Sequence, residues 1–302
     1  MSATFELRAA RMDEVDAAAE LLNRHAESVY GARDQAAADL RQYWESPDVD
    51  FANDVLLAEA PDGTLVGYAD LGVHGGHVWI DLRGLDPEPS KALLEVMESR
   101  AAEKLPGAKL MTFTADGDAV IGTLFDEAGY EVIRHSYRME IDLEDGPPEP
   151  EWPEGFTVRT MQPGEEKRVH EAAMTSFADT WLFTPEPFDI WAHWMVNDSA
   201  FDPALWFLAE AGDELAGISL TRIPPTEPDF GWVRILGVIP KYRQRGLAQA
   251  LLRHTFGEYY GRGIRRVGLG VDAQNPTGAV RVYEKAGMHV ARQNLILEKV
   301  RG

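Results

Sequence analysis

The chain has 302 residues, room for one large or two ordinary domains, and its hydrophobic content of 45% is sufficient for packed cores. Its 50 acidic and 29 basic side chains give a net charge of −21, which argues against a nucleic-acid partner because a phosphate backbone would be repelled. Cysteine is absent, the eight histidines show no HxxxH spacing, and neither a membrane-spanning run nor a signal peptide is visible, so we expect a cytoplasmic protein without disulfides, membrane partner or metal.

Strands and helices alternate along the first half of the chain. The predicted strands cover 5–8, 78–82 and 110–113, the helices cover 12–25, 90–104 and 118–128, and a hairpin over 54–70 turns at 61–63. The proline-rich segment Gly146–Pro153 cannot continue a helix or a central strand. We therefore predict a first domain over 1–145, a linker over 146–154 and a second domain over 155–302.

The second half repeats the plan of the first. Leu208–Ala211 matches Leu57–Ala60 at an offset of 151 residues, and Tyr283–Gly287 matches Phe125–Gly129 at an offset of 158 residues. The offset jumps by five residues, from 153 to 158, between Gly237 and Ala250. The second copy therefore has a loop that the first copy lacks.

That extra loop lies between a predicted strand, Trp232–Val238, and a helix that begins at about Gly246. A helix start exposes unpaired backbone N–H groups and partial positive charge, and glycine lets a phosphate approach the backbone. Arg243 and Arg245 add fork-shaped donors. The loop is either a solvated basic turn or a site for a pyrophosphate.

Charge is distributed unevenly around this loop. Residues 1–150 carry a net charge of −19 and residues 151–302 a net charge of −2. Between Lys241 and Arg266, seven residues are basic and only Glu258 is acidic. A basic run is usually a solvated face, but an anionic cofactor explains this one better because the run brackets the loop.

A second strand and helix follow the loop. Arg265–Val271 is predicted as a strand, and Asn275-Pro276 is predicted to open a helix, with Asn275 as its N-cap. The helix carries Tyr283 and ends at Gly287.

The ordered combination of Arg243-x-x-Gly246-x-Ala248 after a strand, then Asn275 and Tyr283–Met288, resembles the acyl-CoA-binding core of the GNAT N-acetyltransferase superfamily. The resemblance implies an α/β (mixed α+β) fold of two tandem domains, each with a mixed, mainly antiparallel sheet flanked by helices. It also implies acetyl-CoA as the cosubstrate. The residues that it assigns to acetyl-CoA are Leu236, Gly237, Val238, Arg243, Gln244, Arg245, Gly246, Leu247, Ala248, Asn275 and Tyr283.

The resemblance further implies direct attack of an amine on the thioester, with Tyr283 protonating the leaving thiolate. Many family members place a glutamate as base on the strand before the loop, but that position is Trp232 here, which cannot serve. Asp229 is the nearest carboxylate and our candidate base. A water chain, or an amine that arrives neutral, is an alternative.

An acceptor pocket is predicted near five aromatic residues in the first part of the second domain. They are Phe177, Trp181, Phe183, Trp191 and Trp194. Core packing at helical spacing accounts for some of them, whereas their position beside a proline-broken loop favours a pocket wall. We predict that Phe177, Trp181 and Phe183, together with Trp232, contact the acceptor.

The first copy has Glu88-Pro89-Ser90 in place of the basic loop and Phe125 in place of Tyr283, so it is predicted to be a degenerate domain. This pairing of a degenerate with an intact copy is similar to mycothiol synthase within the superfamily. The predicted function is N-acetylation of a small-molecule amine by a monomer or homodimer. The alternatives are a non-catalytic acyl-CoA-binding regulator and an acetyltransferase for peptide or protein amines.

Overall fold

The computed structural model describes residues 5–300, which form two compact units. The first unit runs to His135 and also includes the segment from Gln293 onward, and the second is Ser136–Arg292. Within residues 5–300, no helix combines the length and the hydropathy that crossing a bilayer requires.

The elements up to His135 include all those that the sequence predicts, and two short helices that it does not predict. The strands are β1 (Glu6–Ala9), β2 (Val55–Glu59), β3 (Leu65–His74), β4 (His77–Gly84) and β5 (Leu110–Ala115). The helices are α1 (Val15–Tyr30), α2 (Ala37–Trp44), α3 (Phe51–Asp54), α4 (Pro87–Lys104) and α5 (Ala119–Glu127). The hairpin of β2 and β3 turns at Gly63, whose φ of +86° is costly for any residue with a Cβ.

The remaining elements repeat this order. The strands are β6 (Glu131–Asp142), β7 (Thr157–Thr160), β8 (Trp206–Ala211), β9 (Glu214–Arg222), β10 (Phe230–Val238), β11 (Arg266–Asp272) and β12 (His289–Lys299). The helices are α6 (Glu166–Phe177), α7 (Phe188–Met195), α8 (Leu247–Gly261) and α9 (Ala279–Lys285).

Both units have the same sheet plan. Within the first unit the strand order is β1-β2-β3-β4-β5-β12, and within the second it is β7-β8-β9-β10-β11-β6. In each sheet one neighbouring pair is parallel, β4 with β5 and β10 with β11, and the other printed ladders are antiparallel. The predicted fold, two tandem domains with mixed and mainly antiparallel sheets, is confirmed.

Each unit is completed by a strand from the other half of the sequence. The segment Ser136–Asp142 of β6 pairs with β11, and Asn294–Lys299 of β12 pairs with β5. The compact units therefore do not follow the domain boundaries predicted at 145 and 155. The proline-rich composition of Gly146–Pro153 carries no information on which unit each flanking strand joins.

Helices cover both faces of the second sheet. On β8, Trp206 and Leu208 pack with α6 and α7, whereas their neighbours Phe207 and Ala209 pack with α8 and α9, as the alternation of strand side chains requires. The strands β10 and β11 are therefore held in the middle of the unit by a core on each side, which fixes the backbone on which the candidate site is built.

One helix begins later than its sequence predicts. The N-cap of α9 is Gly278, and Asn275 instead accepts hydrogen bonds from Thr277 in a turn before the helix. The prediction that Asn275 caps this helix is therefore wrong. An Asx-type turn competes with helix N-capping for the same side-chain oxygen, and here the turn prevails.

Candidate active site

The two parallel strands at the centre of the second unit separate before they end. Phe230–Val233 of β10 pairs with Arg266–Leu269 of β11, yet the strands continue to Val238 and Asp272. On its other side β10 remains paired with β9, with an irregularity between Val233 and Ile235. Backbone and side chains beyond Val233 are therefore available to a cavity between the two strands.

A cavity of about 210 Å³ lies at this separation. The two strands line it with Val233, Arg234, Leu236, Leu269, Gly270, Val271 and Asp272. The remaining lining residues are Phe177, Thr180, Trp181, Asn275 and Tyr283. The structure thus brings together five of the predicted site residues: Leu236, Asn275, Tyr283, Phe177 and Trp181.

Tyr283 reaches the cavity from α9 and is only 8% exposed. Burial raises the pKa of its phenol to about 12 because the phenolate would lose its hydration. The hydroxyl is therefore fully protonated at neutral pH, as a proton donor must be.

The loop before α8 has the backbone geometry of an anion site. Gly246 is the N-cap of α8 with φ of +84°, and no described atom lies within 4 Å of the point where its Cβ would stand. Because the first amides of a helix lack intrahelical partners, those after Gly246 present N–H groups and the positive end of the helix dipole. Gln244 also has a positive φ, of 62°, so this short segment is held in a strained shape.

Arg243 does not extend its guanidinium from this loop as the sequence suggested. It forms a two-pronged ion pair with Asp179 and donates at 2.8 Å to the carbonyl of Ser176, while its Nε donates at 3.2 Å to the carbonyl of Val238. Its side chain therefore ties the loop to the end of α6. Position in the motif could not reveal this because Asp179 is 64 residues away.

Arg234 belongs to a buried charge cluster beside the cavity. Its Nη1 donates at 2.7 Å to Asp198, and Arg222 donates to the same carboxylate oxygen at 2.7 Å. The Asp198 side chain is 1% exposed, and Arg234 also donates to the carbonyl of Trp194. These contacts fix the guanidinium of Arg234 on the cavity wall.

Two predicted residues at the start of β10 lie away from the cavity. Asp229 is exposed and is not among the lining residues, so its position does not support a role as the base. Trp232 stacks on Phe230 with 6.2 Å between ring centroids, and the Arg138 guanidinium lies 5.1 Å from its ring. Gly237 and Phe183 are likewise not lining residues.

Of the five clustered aromatics, Trp191 is a core residue, 2% exposed and packed against Trp206 at a ring distance of 5.7 Å. Sequence reasoning missed Thr180, Arg234 and Asp272 as cavity residues. A carboxylate at the end of a strand, three residues before Asn275, was a signal available for Asp272. Residues 5–300 contain no group of three or more histidine, aspartate or glutamate side chains placed to hold a metal ion.

The first unit lacks this architecture at the matching position. Only two residues separate the end of β4 from Pro87, the first residue of α4, whereas eight separate β10 from α8. The space beside Gly84 is filled by the hydroxyl of Ser90, which a Cβ would meet at 2.3 Å. Phe125, the counterpart of Tyr283, is fully buried.

Comparison with known proteins agrees with this geometry. Residues 167–288 match the model of the family described as Acetyltransferase (GNAT) family. A mycothiol acetyltransferase of Streptomyces bingchenggensis is 30% identical over 264 residues, which cover 80% of this chain and 80% of that protein. A crystal structure of a GCN5-related N-acetyltransferase from Sphaerobacter thermophilus has a TM-score of 0.80 and 30% identity, and covers 99% of this chain and 96% of that chain.

A tandem GNAT protein from the clavulanic acid biosynthesis pathway has the same fold, with a TM-score of 0.77 over 99% of each chain at 16% identity. Two tandem domains are indicated by the sequence repeat, by the matching strand order of the two units and by the extent of these matches. The chain therefore belongs to the GNAT acetyltransferase family, in its tandem-domain form.

Proposed function

We propose that the second unit binds acetyl-CoA and transfers its acetyl group to the amine of a small-molecule acceptor by direct attack. The observation that carries the proposal is the cavity between β10 and β11, because Tyr283 lines it and the α8 N-terminus follows β10 after one short loop. A thioester carbonyl in this cavity would be close to a protonated hydroxyl.

The cofactor would extend from the cavity to the loop before α8. The backbone amides of Arg243–Ala248, including Gln244, Arg245 and Leu247, would hold its pyrophosphate. The backbone of Leu236–Val238 would hydrogen-bond the pantetheine arm, and Asn275 would contact it from the turn before α9. Acetyl-CoA supplies the activated acetyl group; the chain supplies position, charge and a proton.

The acceptor would meet the thioester near Phe177 and Trp181, which line the same cavity. The amine nitrogen forms a bond to the acetyl carbon and loses one proton to a base or to solvent, the carbon–sulfur bond breaks, and Tyr283 gives its proton to the departing sulfur and regains one from solvent. The relatives named mycothiol acetyltransferase make a mycothiol-type substrate one acceptor to test. The aromatic wall makes other amines equally worth testing.

Two measurements test the proposal. Titration calorimetry should give one acetyl-CoA site per chain, because the first unit has neither the loop nor the tyrosine. Free thiol should then be released when acetyl-CoA is incubated with a panel of amino sugars, polyamines, aminoglycosides and peptides. Two equivalent sites would contradict the assignment to the second unit, and tight binding without thiol release for every amine would identify a binding protein instead of an enzyme.

A further inference from the structure

Within the described part of the chain, one acidic residue lines the cavity, and it is not Asp229, the candidate base from the sequence. It is Asp272, the last residue of β11, on the same cavity as Tyr283. Trp232 has no basic group, and Asp229 is exposed elsewhere. A carboxylate and a protonated phenol on one cavity are the two groups that amide formation from an ammonium requires.

Local hydrogen bonds hold Asp272 in place. Its Oδ1 accepts a hydrogen bond from the backbone N–H of Gln274 at 2.9 Å, and its carbonyl oxygen accepts one from Asn275 N–H at 3.1 Å. On β6, Ser136 is its partner in the antiparallel ladder. The carboxylate is therefore attached to a fixed turn whose next anchor, Asn275, also lines the cavity.

The surroundings of Asp272 suit an ammonium group. The aromatic side chains of Phe177 and Trp181 line the same cavity, and aromatic rings attract cations. The positive charge of Arg234 is partly offset, because the buried Asp198 pairs with both Arg222 and Arg234. The other titratable side chains on these neighbouring elements are Arg281, Tyr283, Glu284 and Lys285 on α9, and Glu131, Arg134, His135, Tyr137, Arg138, Glu140 and Asp142 on β6. Arg138 and Glu140 pair with each other at 2.5 Å.

We propose that Asp272 binds the acceptor as an ammonium and accepts its proton as the amine attacks the thioester; this rests on the proposed acetyl transfer. The ammonium first gives one proton to Asp272, which passes it to solvent, so that a neutral amine attacks. The nitrogen–carbon bond forms, the carbon–sulfur bond breaks, the second proton lost by the nitrogen passes to Asp272, and one proton passes from Tyr283 to sulfur. Solvent then reprotonates Tyr283 and deprotonates Asp272. The preferred acceptor class is a cationic primary amine.

The test compares Asp272→Asn and Asp272→Glu with the wild-type protein. Asparagine keeps the side-chain oxygen that accepts from Gln274, so the turn is preserved and only the charge and basicity are lost. Asp213→Asn is the matched control, because Asp213 is an exposed aspartate of the same unit outside the cavity. The probes are glucosamine, spermidine and tyramine, assayed across a pH series, and acetyl-CoA affinity is measured separately by calorimetry.

We expect Asp272→Asn to lower kcat/KM by ~10²-fold near neutral pH, at the lower end of what general base catalysis contributes. The loss in kcat/KM relative to wild type should become smaller as pH rises, because more of the amine is then neutral in solution. A loss caused by a structural defect would not depend on pH in this way. Asp272→Glu should restore part of the rate. In Asp272→Asn the acetyl-CoA affinity should stay within about twofold of wild type, because a variant that disturbed the structure of the site would also bind acetyl-CoA less tightly.

Three outcomes would overturn the inference: Asp272→Asn activity equal to that of Asp213→Asn, a deficit that does not change with pH, or transfer by the wild-type protein to none of the three amines although acetyl-CoA binds. Failure of the proposed function has a different signature. In that case the wild-type protein itself would not bind acetyl-CoA in calorimetry, or would bind it and release no thiol with any amine of the wider panel.

Discussion

At the scale of single residues, the same phenol can be a core group or a proton donor, depending on what lies beside it. Tyr283 packs in the second unit's core and also lines the cavity, where we propose that it donates a proton. The resemblance to the GNAT family predicted this role, and the matching position of the first copy is Phe125. The pKa of about 12 follows from burial, which a motif cannot report.

Tyr283→Phe should lower turnover by ~10²–10⁴-fold, since only the proton-donating hydroxyl is lost. Acetyl-CoA affinity should be unchanged, because the ring that packs in the core remains. Thiol release and calorimetry on the same preparation measure the two quantities, with Tyr260→Phe on α8 as the control for losing a phenolic hydroxyl. Turnover within about twofold of Tyr260→Phe would show that the proton comes from elsewhere.

Asp70 in the first unit gives a separate prediction, on stability. It is 9% exposed, accepts hydrogen bonds from Tyr43 at 2.8 Å and Tyr68 at 2.7 Å, and is paired across the β3–β4 ladder with Asp81. Burial first, and then repulsion by Asp81, raise the pKa of its carboxyl from 3.8 to about 7. The folded state therefore binds the extra proton between these two pH values, so the free energy of unfolding should fall as pH rises from about 4 to about 7.

Asp70→Asn should remove this dependence of unfolding free energy on pH, because an amide does not titrate; its oxygen still accepts from one tyrosine hydroxyl, and its NH2 group can donate to the other. Urea unfolding of the wild type and the variant, followed at a series of pH values, would measure it. Asp126→Asn, an exposed aspartate on α5, should keep the wild-type slope. A slope that persists in Asp70→Asn would assign it to another group.

At the scale of elements, the start of α8 depends on one backbone angle and one open space. Glycine at position 246 accommodates the positive φ, and the empty volume beside it allows a phosphate to approach the helix amides. The pattern of strand, glycine and helix predicted the position at which α8 begins, because such signals are local in the chain.

Gly246→Asp should weaken acetyl-CoA binding by at least about tenfold, or ~1.4 kcal/mol, by placing bulk and negative charge where the pyrophosphate must bind. Gly263→Asp is a closely matched control, since Gly263 also has a positive φ, of 86°, and open space around its Cβ position, but follows the end of α8. Both variants bear similar backbone strain. Equal acetyl-CoA affinities for the two would remove the loop from the cofactor site.

Contacts between elements distant in sequence were less predictable than the elements themselves. Arg243 was assigned to a phosphate by its place in the motif, yet Asp179 engages its guanidinium. Asp272 was overlooked because its strand pattern was read only for hydrophobic alternation. The choice of sheet for β6 and β12 depends on long-range pairing, which period-two patterns do not specify.

At the scale of the whole molecule, the exchanged strands make each unit depend on both halves of the sequence. A fragment of 155–302, the second domain as predicted from sequence, lacks the strand that covers Arg266–Asp272 of β11. We expect it to be unfolded or aggregated, because an exposed edge strand beside an opened core is unstable and pairs with other chains.

A fragment of 131–292, which retains the full second unit, should fold better and bind acetyl-CoA more tightly than 155–302. Circular dichroism, size-exclusion chromatography and calorimetry on the two fragments would compare them. If 155–302 folded as a monomer with the acetyl-CoA affinity of the full chain, the exchanged strand would be dispensable for the second unit.

The exchange also has a consequence for biosynthesis. During translation β5 is made long before its outer neighbour, since Asn294–Lys299 follows every other described element of the sheet. The edge of β5 in the nascent first unit therefore stays unpaired until the segment Asn294–Lys299 has been synthesised. An unpaired edge is prone to aggregation, and chaperones bind such states. A nonsense mutation at codon 293 would therefore damage the part of the protein that was synthesised first.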